Sequence, residues 1–381
     1  MDDFLRRSWV IPFVAVTAMA VGVALLNRPE FTGDPAIYRS RMELLFAGNA
    51  PYFDFYFEHL PLSLVPMMAA WLLGGFAGDA LFTSIFALLM VACLVGCARA
   101  VDEDGGREAG LRWLLLAGPL FPIVIFRSDP FPTVLAAAAF AAVVAGQEKK
   151  AGGLEFAGVL AKGWPGVLAL VEAARGRWGR AVTVAGAGVV LLLGLLLLPG
   201  FRSGRAFSGL HSETVAGAAA IVARTFTGDS LGLLYEAGAT YVSVPVWAWV
   251  LNLNIGVLIG LLALGRWRAG FTRESGAGIL SAAVVTLLLI SPVLSPQFLL
   301  WPTPFLALHR SRAVKGLALG TALLTLVYMV GWNPDFLGNP WWIVVLNVRN
   351  LVLVALGVVC AWGIAAPRPQ SLSDPISTMA E

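Results

Sequence analysis

The chain has 381 residues, 58% of them hydrophobic and 13% charged, with a formal net charge of +3. A soluble domain carries about 25% charged residues, so this composition excludes an ordinary water-soluble fold and indicates a polytopic membrane protein. So small a surplus of positive charge gives no reason to expect nucleic acid as a partner.

Apolar runs close to the roughly 20 residues that a helix needs to cross hydrocarbon recur along the chain. The first, 9–26, follows Arg6 and Arg7 and lacks a small-residue cleavage site, so it reads as a retained span rather than a signal peptide. FTGDPAIYRS at 31–40 then opens an amphipathic segment in which Tyr38, Met42, Leu45 and Phe46 share one face and Arg39 and Glu43 another. Asp34 before Pro35 reads as an N-cap followed by proline at the first helical position, and the segment is expected to lie flat on the outer interface. The next run, 60–76, either crosses the bilayer or lies on its outer surface, and positive charge arbitrates. With 60–76 on the surface, spans follow at 80–98, 111–126, 130–146, a short hairpin 152–174, 181–199, 245–264, 276–293, 297–309, 315–332 and 341–363. Counted on the sequence, this threading puts 17 basic residues inside and 7 outside, against 13 and 11 for its rival.

The expected fold is therefore an all-α membrane protein, a bundle of about 12 transmembrane helices (range of roughly 10–13) with outer interfacial helices. It forms one polytopic domain, 1–366, with a first outer loop at 27–79 and a second large outer loop at 200–244. Residues 367–381, PRPQSLSDPISTMAE, read as a disordered inner tail. Both termini are expected on the cytoplasmic side and any chemistry on the outer face. Cys93, Cys97 and Cys360 fall inside apolar runs and read as buried thiols, with no zinc spacing and no disulfide framework. No internal repeat is found.

Soluble-enzyme signatures such as HExxH, a P-loop or GxSxG are absent. What remains are polar residues at the outer boundary, each with a plainer structural reading beside the chemical one. Asp34 can be a general base or only a cap. Arg127 can bind phosphate or pair with Asp129, and Lys162, at the tip of the short hairpin, can bind phosphate or snorkel to the headgroups. Gln297 can hold sugar hydroxyls or start a helix. Tyr38 and Tyr52 can contact an acceptor or belong to an interfacial aromatic belt, and His59 and His211 can be functional or ordinary loop histidines. Arg349 lies about nine residues into the last span, where a charge must face a cavity or a partner.

Several stretches together carry a family likeness. Asp34-x-x-x-Tyr38, GNAPY at 48–52, YFEHLPLS at 56–63, FRSDPFP at 126–132, LAKGWP at 160–165 and LSPQFLLWPTP at 294–304 occur in that order. They resemble the GT-C glycosyltransferases, especially glycosyltransferase family 87. The resemblance implies a GT-C-like bundle in a bacterial inner membrane, with the active site on the outer face. It implies inverting transfer of a sugar (mannose, or another hexose or pentose) from a polyprenyl-phosphate donor to a hydroxyl of a lipid or glycan acceptor. On that reading Asp34 is the base, Arg127, Asp129, Lys162 and Gln297 bind donor phosphate or sugar, and Tyr38, Tyr52, His59 and His211 line the acceptor side. Two positions depart from the pattern: His59-Leu60-Pro61-Leu62 replaces the usual second proline, and Thr32 stands where related mannosyltransferases have a paired acid. A lone carboxylate is a poor divalent-cation site, so no metal and no cofactor are expected. The competing reading is a transporter or flippase of lipid-linked saccharides, and a third is a polymerase or ligase acting on lipid-linked sugars.

Overall fold

A computed structural model describes residues 10–27, 29–57, 59–199, 201, 209–227, 232–236, 239–266, 271–331 and 339–364. The expected tail, 367–381, and the basic pair Arg6 and Arg7 lie outside the described residues. The fold is helical. Among the described residues six helices, against the roughly 12 expected from the sequence, are long and apolar enough to cross a membrane: Asp79–Gly105, Trp178–Leu196, Val246–Arg266, Arg273–Ile290, Arg312–Gly331 and Pro340–Trp362.

In chain order, α1 is Val10–Asn27 and α2 is Pro29–Phe46. A 3-10 turn, Pro61–Ser63, leads into α3, Leu64–Leu72, followed by α4, Asp79–Gly105, α5, Arg107–Ala117, and the single turn α6, Phe121–Val124. Then come α7, Pro130–Val144, and α8, Glu148–Lys162, a second 3-10 turn, Trp164–Leu168, α9, Ala169–Ala174, and α10, Trp178–Leu196. The stretch read from sequence as a plain outer loop holds β1, Leu210–His211, α11, Val215–Thr227, β2, Leu233–Glu236, and β3, Ala239–Val242. The strands form an antiparallel sheet in the order β1-β3-β2, with Leu210 opposite Val242 and Leu234 opposite Tyr241. Finally α12 is Val246–Arg266, α13 Arg273–Ile290, a third 3-10 turn Pro296–Leu300, α14 Thr303–Leu308, α15 Arg312–Gly331 and α16 Pro340–Trp362.

One expectation is corrected at α2. The helix does not open at Asp34: it runs from Pro29 to Phe46 with Pro35 inside it. Pro29 takes the first position, where a missing N–H costs nothing, and Pro35 merely deletes one i→i−4 bond from a helix held by its tertiary contacts. Those contacts are specific. Tyr38 and Met42 are buried in an apolar cluster with Phe82, Phe86 and Met90 of α4. On the other face Arg39 binds Asp79 at 2.9 Å and Glu43 at 2.7 Å, and its Nε donates to the Gly75 carbonyl. Asp34 is therefore a mid-helix side chain rather than a cap.

The segment 60–78 begins and ends at one end of the bundle. Its first residues pack on α8 beside Gly163, and its last are held by Arg39 of α2. The helix between them has only nine residues, about 14 Å, too short for hydrocarbon roughly 30 Å thick. By contrast α4, with 27 residues, runs from Asp79 at this end to Asp104, whose carbonyl receives Arg273 at the start of α13. The bundle thus has two polar ends, one marked by Asp34 and the other by Arg175.

Between them sits the main core. It is centred on α13, which is 67% buried, whereas α10 is 11% buried and presents Val182, Val189, Val190 and Leu193 outward, as a lipid-facing helix does. Close approach of α12 to α13 depends on Gly256: a Cβ there would meet Ile290 Cγ2 at 1.9 Å. Small residues serve helix contact in this way where lipid supplies no hydrophobic driving force between helices.

Candidate functional site

Besides the contacts of Arg39, three carboxylate–cation pairs gather at the Asp34 end; the first and third join elements far apart in sequence and the second closes the α7–α8 hairpin. In the first, Asp34 on α2 pairs through Oδ1 with Arg127, which sits on the turn between α6 and α7, while Oδ2 accepts a hydrogen bond from the Tyr38 hydroxyl at 3.1 Å. The Tyr38 link is an i,i+4 contact along α2, so it depends on the helix continuing through Pro35. The pair is only partly covered, with side-chain exposures of 26% for Asp34 and 14% for Arg127.

The second pair is nearly buried. Asp129 occupies the N-cap position of α7 with Pro130 behind it, yet its side chain makes no cap hydrogen bond. Instead Oδ1 accepts from Lys162 Nζ at 2.7 Å and from the indole Nε1 of Trp301 at 2.7 Å. Lys162 is the last residue of α8, which Gly163 ends at φ 74, a left-handed conformation that glycine adopts without steric cost. The ammonium also lies 4.7 Å from the centre of the Phe298 ring, within cation–π range. Trp164, Trp301 and Phe298 stack successively, with centroid separations of 5.4 and 4.3 Å. These rings fix the lysine, leaving its remaining N–H directions to other acceptors.

The third pair lies deepest. Arg349 on α16 is fully buried, its NH1 3.3 Å from Glu213 Oε2, its NH2 donating to the Glu213 carbonyl at 2.6 Å and its Nε to Asn350 Oδ1 at 3.0 Å. Asn350 in turn donates to the carbonyls of Glu213 and Thr214. Burial pushes the Glu213 carboxyl up to about 7, while Arg349 and then Arg127 act in the opposite sense. That Arg127 is felt at Glu213 links the first pair to the third.

No protein-family model matches the chain. No curated protein matches it either. Among the solved structures similar to it are the crystal structure of ArnT from Cupriavidus metallidurans in the apo state, 17% identical over 93% of this chain and 76% of that one, with a TM-score of 0.45, and ArnT from Cupriavidus metallidurans bound to undecaprenyl phosphate, 15% identical over 93% and 77%, with a TM-score of 0.46. At that level of likeness no residue is carried over.

The other candidates fall around these pairs. Tyr38 packs against Phe86 and edge-on against His59 at 5.6 Å, and the Tyr52 hydroxyl donates to the His59 carbonyl at 2.8 Å. Tyr52 itself has φ 70, and burial raises its phenol. These three therefore brace one wall beside Asp34. Gln297, half-buried, adjoins Phe298 on the 3-10 turn that also ends beside Trp301. His211 is buried in β1, its N–H on the Pro292 carbonyl and its ring edge-on to Tyr241 at 5.6 Å, two residues from Glu213.

Two sequence expectations are corrected. Arg127 pairs with Asp34, not with Asp129, because the α6–α7 turn aims residues 127 and 129 at different neighbours. Lys162 does not simply snorkel, since Asp129 and two aromatic rings hold it. Sequence reasoning missed Glu213 and Trp301. Glu213 lies 136 residues from its partner, and the only signal was that buried Arg349 required an anion. Trp301 stood inside LSPQFLLWPTP without drawing separate notice. Among the described residues no group of three His, Cys, Asp or Glu could hold a metal ion.

Proposed function

We propose that the chain is a GT-C-type membrane glycosyltransferase that moves a sugar, such as mannose or another hexose or pentose, from a polyprenyl phosphate to an acceptor hydroxyl. The observation that carries this reading is the meeting of Asp34, Arg127 and the Asp129–Lys162 pair at one polar end of a membrane bundle. These residues come from stretches that resemble glycosyltransferase family 87 in sequence order. The opposite end is rich in arginine, which by the positive-inside rule supports reading the Asp34 end as the outer face of a bacterial inner membrane.

In the reaction the acceptor oxygen attacks the anomeric carbon, its proton passes to Asp34, and the bond to the phosphate oxygen breaks with its electron pair. Attack opposite the leaving group inverts the centre. Negative charge grows on the departing phosphate, where Arg127 and Lys162 stabilise it. A phosphate arriving at Arg127 competes with Asp34 for the guanidinium, freeing Oδ1 to take the acceptor proton. Tyr38 holds Oδ2 and with it the orientation of the carboxylate. The acceptor is a lipid or glycan, approached from the wall of Tyr38, Tyr52 and His59.

The test is incubation of purified protein in lipid with radiolabelled polyprenyl-phosphate sugars and an outer-leaflet lipid extract. Transfer of label to a new product is expected, with Asp34→Asn lowering its rate at least about 100-fold, the lower range of general-base catalysis. A variant that keeps more than about a tenth of wild-type rate removes Asp34 from the chemistry. Flipping of the donor without transfer would favour the transporter reading, with which the buried Arg349–Glu213 pair is also compatible.

A further inference from the structure

A carboxylate at a helix N-cap ordinarily accepts from the first turn of its own helix, and that bond fixes its orientation. Asp129 stands at the N-cap of α7 and makes no such bond. What holds it instead is Trp301, 172 residues further on, whose indole N–H donates to Oδ1 at 2.7 Å beside the 2.7 Å contact from Lys162 Nζ. Trp301 is kept in place without that N–H, because its ring stacks on Trp164 at 5.4 Å and on Phe298 at 4.3 Å. Stacking therefore accounts for the ring, and the N–H is left with the carboxylate as its work. Exposure is graded across the three groups: the side chains of Lys162 and Asp129 are 20% and 2% exposed, and Trp301 is 7% exposed. A ligand reaches the ammonium, and the carboxylate and indole stand behind it. An ammonium on a flexible four-carbon stem has three N–H groups and no direction of its own, so anchoring one of them on a fixed oxygen decides where the other two point.

We propose that Trp301 is a positioning residue: by fixing the Asp129 carboxylate it aims the remaining N–H directions of Lys162 at the phosphate that leaves the sugar. This rests on the glycosyltransferase reading and adds to it a residue that touches neither donor nor acceptor. Without the indole, Oδ1 keeps only Lys162, and carboxylate and ammonium turn together. Charge on the phosphate grows as the bond to the sugar breaks, so a misaimed ammonium costs more in the transition state than in the bound donor.

The test measures transfer by purified protein in lipid, with radiolabelled polyprenyl-phosphate sugars and an outer-leaflet lipid extract, beside thermal unfolding of each variant. Trp301→Phe keeps a ring for the stack and removes the N–H. Its kcat is expected to fall about 10- to 100-fold, the worth of a hydrogen bond to a charged group, with the KM for donor within about threefold of wild type. Asp129→Glu, which keeps the charge and moves its oxygens by one methylene, should lower kcat at least about tenfold. In a background of Lys162→Met with Asp129→Asn there is no ammonium to aim, yet an acceptor for the indole remains. There Trp301→Phe should still lower stability but change kcat less than about twofold. Trp113→Phe removes another buried indole bond, to Thr303 Oγ1 at 3.1 Å, and should lower stability with kcat within about twofold of wild type. The proposal is overturned by a Trp301→Phe or Asp129→Glu kcat within about threefold of wild type, by a rise in KM alone, or by an equal fall in the lysine-free background or in Trp113→Phe. Absence of transfer by the wild type would remove the glycosyltransferase reading and this proposal with it, whereas wild-type transfer with unaffected variants would remove the proposal only.

Discussion

The two polar ends use the same chemical groups to opposite purposes. At the Arg175 end, Glu148 binds Arg175 and Arg180, each at 2.8 Å, and also Arg177, while buried Glu172 takes Arg175 at 3.4 Å. All these partners lie within one hairpin and its exit, 27 to 32 residues from Glu148. The network staples a turn. At the Asp34 end the partners lie 33 residues apart for Asp129 and Lys162 and 136 for Glu213 and Arg349, and Arg127 is felt at Glu213 as well as binding Asp34. A shared carboxylate resists competition from any one ligand, whereas a one-to-one pair can be opened by an arriving phosphate. Ion pairing alone therefore does not mark a site; a pair beside a partly open space, where an incoming phosphate can compete for the cation, does.

The sharpest way to break the comparison is at its deepest pair. Arg349→Met leaves Asn350 and the Glu213 carboxyl without their main donor in a buried setting, and removing one partner of a buried pair costs about 3–5 kcal/mol. Thermal unfolding in detergent at pH 8 should show that loss. Glu213→Gln should cost far less, because burial already favours the neutral carboxyl up to about 7. The sign follows from the raised value: the folded state holds a proton that the unfolded state gives up above about 4.5, so stability declines as pH rises from about 4.5 to about 7. That slope should flatten in Glu213→Gln. Equal losses in the two variants would show that the pair is held together as ions throughout.

The next largest effect separates binding from packing at Lys162. Lys162→Met should slow transfer by about 30- to 1,000-fold, the equivalent of about 2–4 kcal/mol of transition-state charge stabilisation. It also strands Asp129, which is 1% exposed, so stability should fall as well. Adding Asp129→Asn removes the stranded charge and keeps an acceptor for Trp301. The double variant should regain stability and remain slow, measured by thermal unfolding and by the transfer assay. Recovery of both would make the lysine a packing residue.

These assignments also show where the sequence was legible. Six of the expected spans, 80–98, 181–199, 245–264, 276–293, 315–332 and 341–363, coincide with helices long and apolar enough to cross a membrane, because apolar runs near 20 residues are conspicuous in a sequence; the helix within 60–76 has nine residues. Asp34, Arg127, Asp129 and Lys162 were singled out because ionisable residues beside apolar runs are conspicuous. Their pairing was not readable, since Asp34 and Arg127 meet only after α4 and α5 have carried the chain to the far end and back. The helix start was misplaced because Asp-Pro has the grammar of a cap, and only the burial of Tyr38 and Met42 against α4 shows why the helix runs through Pro35. The strands after residue 209 were missed because three short strands leave no periodicity to count.

The smallest effect belongs to the shared carboxylate at the Arg175 end, and it sharpens the comparison by its silence at the other. Arg175 and then Arg177 hold the Glu148 carboxyl below the usual value of 4.5. A depressed carboxyl stabilises above its unfolded value and loses that contribution as pH falls through the folded one, so the effect is complete at neutral pH and fades below about 4.5. Glu148 is about a third exposed, which screens the interaction, and surface pairs contribute about 0–1 kcal/mol each. Glu148→Gln should therefore cost about 1 kcal/mol at pH 7 and progressively less as pH falls below about 4.5, while transfer at the Asp34 end stays within about twofold of wild type. A tenfold fall in transfer without unfolding would mean that the two ends are coupled through the bundle, and the division between stapling pairs and working pairs would have to be withdrawn.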